Sequence, residues 1–177
     1  VGGDFDCDHN QLTTLKGSPQ TVGWDFDCSN NQLTSLKGAP ESVTKGFNCG
    51  YNQLTSLKGG PQSVGGFFSC CFNQLTSLNG GPRTVGGHFD CRDNKLTTLA
   101  GAPQSVGGFF DCSNNKLTTL DGVSQDIGED IRCDDELLLQ EYEKEMKSNS
   151  VAKFKEATNK LLVQVHHKLK PDSGHDI

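Results

Sequence analysis

A 21-residue period runs through this chain in six full copies and into a seventh, with no insertion or deletion. Val1, Val22, Val43, Val64, Val85, Val106 and Ile127 stand 21 residues apart, and so do Phe5, Phe26, Phe47, Phe68, Phe89, Phe110 and Ile131. The same spacing orders Cys7, Cys28, Cys49, Cys70, Cys91, Cys112 and Cys133. Asn10, Asn31, Asn52, Asn73, Asn94 and Asn115 follow, each with Leu two and five residues on. Gly17 and Pro19, with their counterparts in later copies, complete the unit V-G-G-x-F-x-C-x-x-N-x-L-T-[TS]-L-x-G-x-P-x-x. A strict period of this length means stacked, equivalent coils that bury their apolar columns against one another. Composition agrees: 33% apolar residues and 21 Gly suit a thin repeated core better than one thick globular centre.

Within a unit, Phe and Cys two residues apart point to one face of a strand and the residue between them to the other. The Asn that follows can both donate and accept, so it can satisfy backbone groups left orphaned in a turn. Pro and its Gly neighbours discourage helix on the return path, and the Thr-Thr or Thr-Ser pair can bond backbone locally.

The segment F-x-C-x-x-N-x-L resembles the leucine-rich repeat L-x-x-L-x-L-x-x-N-x-L, with Phe and Cys in the two apolar strand positions. The Pro four residues after the last Leu is similar to the short bacterial subclass, in which an extended segment replaces the convex-side helix. This unit is one residue longer between Val and Phe, and its Gly-Gly pair takes up the difference. Phrases such as "CSNNQLTSL" and "GAP" look most like bacterial and bacteriophage repeat proteins. The resemblance implies an α/β repeat solenoid: a right-handed curved leucine-rich-repeat solenoid with one short parallel strand per coil, a mostly non-helical convex side and a C-terminal helical cap. It assigns residues 1–134 to the solenoid, as six repeats and a degenerate seventh, and 135–177 to a helical cap or extension with a polar tail. It says almost nothing of function, which lives in the positions the repeat leaves free.

Seven of the eight cysteines fall in one repeat column, where a free Cys packs as a small hydrophobe. No C-x-x-C pair offers the convergent ligands zinc requires, and no cofactor or metal is expected. A ladder of unpaired thiols argues for a reducing compartment, the cytoplasm, or the host cytoplasm for a pathogen or phage protein. Cys71 breaks the column and is expected to be exposed on the strand face, the one candidate reactive thiol, with His88 a coil away in a different column. Net charge is −6, so the basic footprint of a duplex-binding protein is missing, and no apolar run approaches the length of a bilayer.

Outward positions of the strand face vary from copy to copy. Before each Phe stand Asp4, Asp25, Gly46, Phe67, His88, Phe109 and Asp130; between Phe and Cys, Asp6, Asp27, Asn48, Ser69, Asp90, Asp111 and Arg132. After Cys stand Asp8, Ser29, Gly50, Cys71, Arg92, Ser113 and Asp134, so these three columns hold nine Asp against two Arg. Tyr51 and Phe72 lie in the next column, and Trp24 near the N-terminal side. The reading is an exposed aromatic island of Tyr51, Phe67, Phe72 and Phe109 between two acidic stretches. Apolar patches ringed by charge mark contact sites, although Asp also keeps a repeat soluble. The expected partner-binding set is Trp24, Asp25, Asp27, Tyr51, Phe67, Phe72, His88, Asp90, Arg92, Phe109 and Asp111. A cation on the Asp columns is the competing account of so many like charges.

After Cys133 the repeat fails, with Glu136 where Asn is due. Asp134-Asp135-Glu136 opens a helical run over Leu137–Lys147, and a second amphipathic run carries Val151, Phe154, Leu161, Val165 and Leu169 up to Pro171. His166-His167 is an adjacent pair and a poor metal site. Nothing in the sequence shields the first coil's edge, so a missing cap or a docked second chain is expected there, and the C-terminal helix is the other candidate route to an oligomer.

The leading functional expectation is a non-enzymatic module that binds a partner protein, of a host for instance, through the acidic, aromatic-centred face. The partner would carry a basic or mixed basic and apolar surface, with no direct nucleic-acid or membrane binding, and the binding would interfere with a host pathway. One alternative is a nucleic-acid mimic, whose Asp rows imitate phosphates and inhibit a DNA-binding or defence enzyme. Another is the substrate-recognition part of a longer effector enzyme resembling bacterial repeat-linked ubiquitin ligases.

Overall fold

The computed structural model describes residues 1–150 and is a parallel β-solenoid that repeats every 21 residues, ending in a helix. Each Phe opens a two-residue strand, from Phe5–Asp6 through Phe26–Asp27, Phe47–Asn48, Phe68–Ser69, Phe89–Asp90 and Phe110–Asp111 to Ile131–Arg132. These seven strands form one parallel sheet in chain order. Register pairs equivalent residues, Phe26 with Phe47 and Asp27 with Asn48, so each column of the sequence becomes a column in space.

One strand per coil is joined by a second. Thr21–Val22, Ser42–Val43, Ser63–Val64, Thr84–Val85, Ser105–Val106 and Asp126–Ile127 build a six-stranded parallel sheet on the return path. Pro keeps that segment extended, and extended segments in register at strand spacing can pair. Between the sheets each coil turns after its second Leu. Gly38, with φ +94°, sits where Ala39 N–H donates to Leu36 O at 2.9 Å. That is the i+2 position of a type II turn, which a Cβ disfavours, and the Gly recurs in every coil.

The interior consists of stacked columns. Phe5, Phe26, Phe47, Phe68, Phe89 and Phe110 stack with ring centroids 5.1 to 5.6 Å apart. Val, Cys and both Leu columns are buried in the central coils. All eight cysteines are free thiols. Cys28, Cys49, Cys91 and Cys112 pack inward with Sγ toward a carbonyl of the next coil, as Cys28 does to Asn48 O at 3.3 Å. Burial pushes Cys49 and Cys70 well above the ordinary thiol range, with negative neighbours adding to it. Such thiols are poor nucleophiles.

The Asn column ties coil to coil. Asn73 accepts from Leu54 N–H of the preceding coil at 2.9 Å. Its amide group donates to Cys49 O of that coil at 3.1 Å, and to Cys70 O and Cys71 O of its own at 3.2 and 3.1 Å. Asn31, Asn52, Asn94 and Asn115 repeat the pattern. One buried side chain thereby satisfies backbone groups of two coils at the place where the strand ends.

Where Asn is replaced by Glu136 the coil does not close, and residues 136–150 are helical. Asp135 caps that helix, its Oδ1 accepting from Leu137 N–H at 2.9 Å and Leu138 N–H at 3.3 Å. By contacts, Val1–Leu139 is one compact unit, and Gln140 onward belongs to a second. In the latter, Tyr142 and Met146 are half-buried and Lys147 pairs with Glu143 at 3.4 Å. The second amphipathic run, from Val151 to Leu169, and His166-His167 lie outside the described residues. Among the described residues no helix is long and apolar enough to cross a membrane.

If the Asn column carries the coil-to-coil register, Asn73→Ala should destabilise the fold by roughly 3 kcal/mol, because several buried backbone groups lose their partner at once. Asn73→Asp should fare little better, since a carboxylate cannot donate to the three carbonyls. Urea unfolding midpoints of the two variants check this, with Gln74→Ala on the exposed neighbour as the control.

Candidate functional site

The outward side of the Phe-sheet carries the residues that differ most between coils. Its chemistry is set by which of them the backbone already uses. In the column between Phe and Cys, Asp or Asn folds back on its own coil. Asp27 Oδ1 accepts from Ser29 N–H at 2.8 Å, Asp90 Oδ1 from Arg92 N–H at 3.1 Å, and Asp111 Oδ1 from Ser113 N–H at 3.1 Å and Ser113 Oγ at 2.5 Å. These are Asx turns, which fix the end of each strand. Asp27 Oδ2 also accepts from Asn48 Nδ2 at 2.9 Å, and Asp25 Oδ1 from Gly46 N–H at 2.6 Å, so acid links successive coils as well. Asp111 is buried outright, and Asp25, Asp27 and Asp90 are half-buried. Burial holds the Asp90 carboxyl above the usual range, offset by the Arg92 N–H and guanidinium. Arg92 Nε stands 3.5 Å from Asp90 Oδ2.

The aromatic residues do not form one island. They divide between the two edges of the strand. On the entry side Phe67 is 39% exposed, and its ring lies over Gly46, where a Cβ would overlap it. His88 and Phe109 follow in the same column, stacked at 3.9 Å, and His88 Nδ1 accepts from Phe109 N–H at 3.1 Å. That bond leaves the neutral ring's proton on Nε2. Arg132 Cζ stands 3.8 Å from the Phe109 ring, so Phe109 is half-buried between a histidine and a guanidinium rather than exposed. On the exit side Tyr51 and Phe72 stack at 4.3 Å and are 49% and 37% exposed. Trp24, 51% exposed, has Lys45 Nζ 4.5 Å from its ring centroid.

Cys71 corrects an expectation. It is buried at 6% exposure, beneath rather than on the face. Gly50 in the coil before leaves room for it, since a Cβ there would come within 2.9 Å of Cys71 Sγ. Ser69 Oγ donates to that sulfur at 3.3 Å, and burial raises the thiol's pKa above its ordinary value. Between Phe67 and Phe72 the face therefore has a floor of small uncharged groups: Asn48 and Gly50 in one coil, Ser69 and Cys71 in the next.

Backbone geometry singles out Tyr51 and Phe72. The column after the strand takes positive φ in every full coil, from 47° at His9 to 54° at Asp93. Asn, Asp and His tolerate this left-handed conformation, and four of the six copies use them. Tyr51, at φ 52°, and Phe72, at φ 50°, are bulky side chains held where the backbone disfavours them. Sequence reasoning found these two residues but not the strain at them, which depends on a turn that no local signal marks.

Replacing both by Asn should therefore leave stability nearly unchanged. Relief of about 1 kcal/mol at each of the two left-handed sites, about 2 kcal/mol in all, offsets the loss of a stacked pair worth about 1 kcal/mol together with the apolar area its half-exposed rings bury. Thermal unfolding of the Tyr51→Asn/Phe72→Asn variant is the check, and a loss of several kcal/mol would mean that the pair serves the fold.

Comparison with protein-family models, with characterised proteins and with solved structures returned no match, so the reading of this face rests on its own geometry.

Proposed function

We propose that the chain is a leucine-rich-repeat-like recognition module, without catalytic activity of its own, that binds a partner protein through the outward face of its Phe-sheet in coils two to six. The observation that carries this reading is that Tyr51, Phe67 and Phe72 stand at positions where most other copies of the same repeat hold Asp, Asn, Gly or His, Phe109 being the one other aromatic carbocycle in these columns. The fold needs no aromatic ring there, and at two of the three the backbone resists one. Exposed aromatics ringed by polar groups are the usual centre of a protein interface. The carboxylates of Asp25, Asp27 and Asp90 favour a partner surface that is basic or mixed basic and apolar. Buried unpaired thiols suit a reducing compartment.

The nucleic-acid-mimic alternative gains less support. A phosphate mimic needs an evenly spaced row of carboxylates, whereas Asn48 and Ser69 interrupt the column between Phe and Cys, and Gly46, Phe67, His88 and Phe109 interrupt the column before Phe.

Capture from extracts of the native source, compared between the parent chain and two variants, tests the reading. Phe67→Asp with Phe72→Asp should lose the captured protein by about 2 kcal/mol or more of binding. Asp25→Lys with Asp27→Lys should slow association and flatten its dependence on salt. Loss of capture in the Lys variant alone would favour the mimic, and equal capture by all three would place the site elsewhere.

A further inference from the structure

Two of the outward aromatics already have a cation of the chain itself over the ring, Trp24 with Lys45 and Phe109 with Arg132, although Trp24 stays 51% exposed. Phe67 and the Tyr51–Phe72 pair are exposed, and among the described residues no cation stands over them. Half-buried Asp25 and Asp27 lie on one side of them along the solenoid, and Asp93, beside the Asp90–Arg92 pair, on the other. A ring face is electron-rich, and nearby carboxylates at a partly dry surface add to its attraction for a positive group. The floor between the rings is small and uncharged, so an extended chain can lie on it.

Resting on the strand-face reading above, we infer that coils three and four bind an extended segment of the partner bearing two cationic side chains, one over Phe67 and one over Tyr51–Phe72, as Arg132 and Lys45 cover their own rings. Phe67 and Phe72 are five residues apart on one coil. At strand rise that is at most about 16 Å, and the turn at Phe72 shortens it. Residues four apart in an extended peptide lie about 13 Å apart on the same side, so the fit is to Arg or Lys at i and i+4. Arg is favoured, because its planar guanidinium stacks on a ring while its N–H groups reach carboxylates.

The probe is a heptapeptide, acetyl-Gly-Arg-Ser-Gly-Ser-Arg-Gly-amide, titrated into the whole chain and followed by amide chemical shifts and calorimetry. Its twin carries citrulline for arginine, with the same shape and no charge. Saturable shifts at Gly46, Gly50, Ser69 and Cys71 are expected from the arginine peptide, and binding at least about tenfold weaker from the twin. The Phe67→Leu/Tyr51→Leu/Phe72→Leu variant keeps apolar bulk without ring faces, and should bind the arginine peptide about tenfold less tightly, at two- to fivefold per contact. Equal binding of the citrulline twin, or no saturable binding of either peptide, overturns the inference. Undiminished binding to the leucine variant, with shifts still on this face, overturns it too and leaves the strand-face reading standing. Shifts confined to another surface overturn both.

Discussion

Everything else in this molecule depends on the side-chain amide that joins each coil to the one before it. Backbone bonds run from coil to coil within and beyond the short strands, as from Cys28 N–H to Asn48 O and from Gln53 N–H to Leu33 O, yet at the strand ends they leave buried carbonyl and N–H groups that need another partner. Asn31, Asn52, Asn73, Asn94 and Asn115 close that gap, each bonding to both its own coil and its predecessor. A bond that must reach the same two carbonyls in every coil tolerates no inserted residue, which is the physical reason for a constant 21-residue period. With register held from inside, the outward positions are free to vary.

How that freedom is used differs between acid and aromatic residues. Much of the acid on the face is structural: Asx turns at Asp27, Asp90 and Asp111, and a coil-to-coil bond at Asp25. The aromatics have no such duty. Tyr51 and Phe72 occupy a left-handed turn that Asn or Asp fills more comfortably, and Phe67 lies on a glycine in place of a side chain of its own kind. Strain at a surface position whose ring stacks on another exposed ring, outside the core, points to use.

The period made the coil and its buried columns readable from the sequence, because equal spacing alone dictates in-register stacking. The second sheet was not readable: Ser63–Val64 is too short to show alternation, and its pairing follows from register rather than propensity. Cys71 looked exposed by its parity along the strand, but Gly50 beneath it opens a space that only a neighbouring coil reveals. The aromatic residues looked like one island because columns are adjacent in sequence, whereas the turn at Tyr51 and Phe72 carries them to the far edge of the strand from Phe67. The double role of the Asp residues is not legible in the sequence for a similar reason, since bonds such as Gly46 N–H to Asp25 span 21 residues.

The most direct measurement is native-state hydrogen exchange on the parent chain. Leu33, Leu54, Leu75 and Leu96 lie outside both sheets, and each of their N–H groups is held by the Asn side chain of the next coil. If those amides carry the register, the four leucine N–H groups will exchange as slowly as the strand amides of Phe47 and Phe68, by global unfolding only. Exchange of Leu54 at the rate of an exposed turn, with Phe47 still protected, would contradict the account at its root.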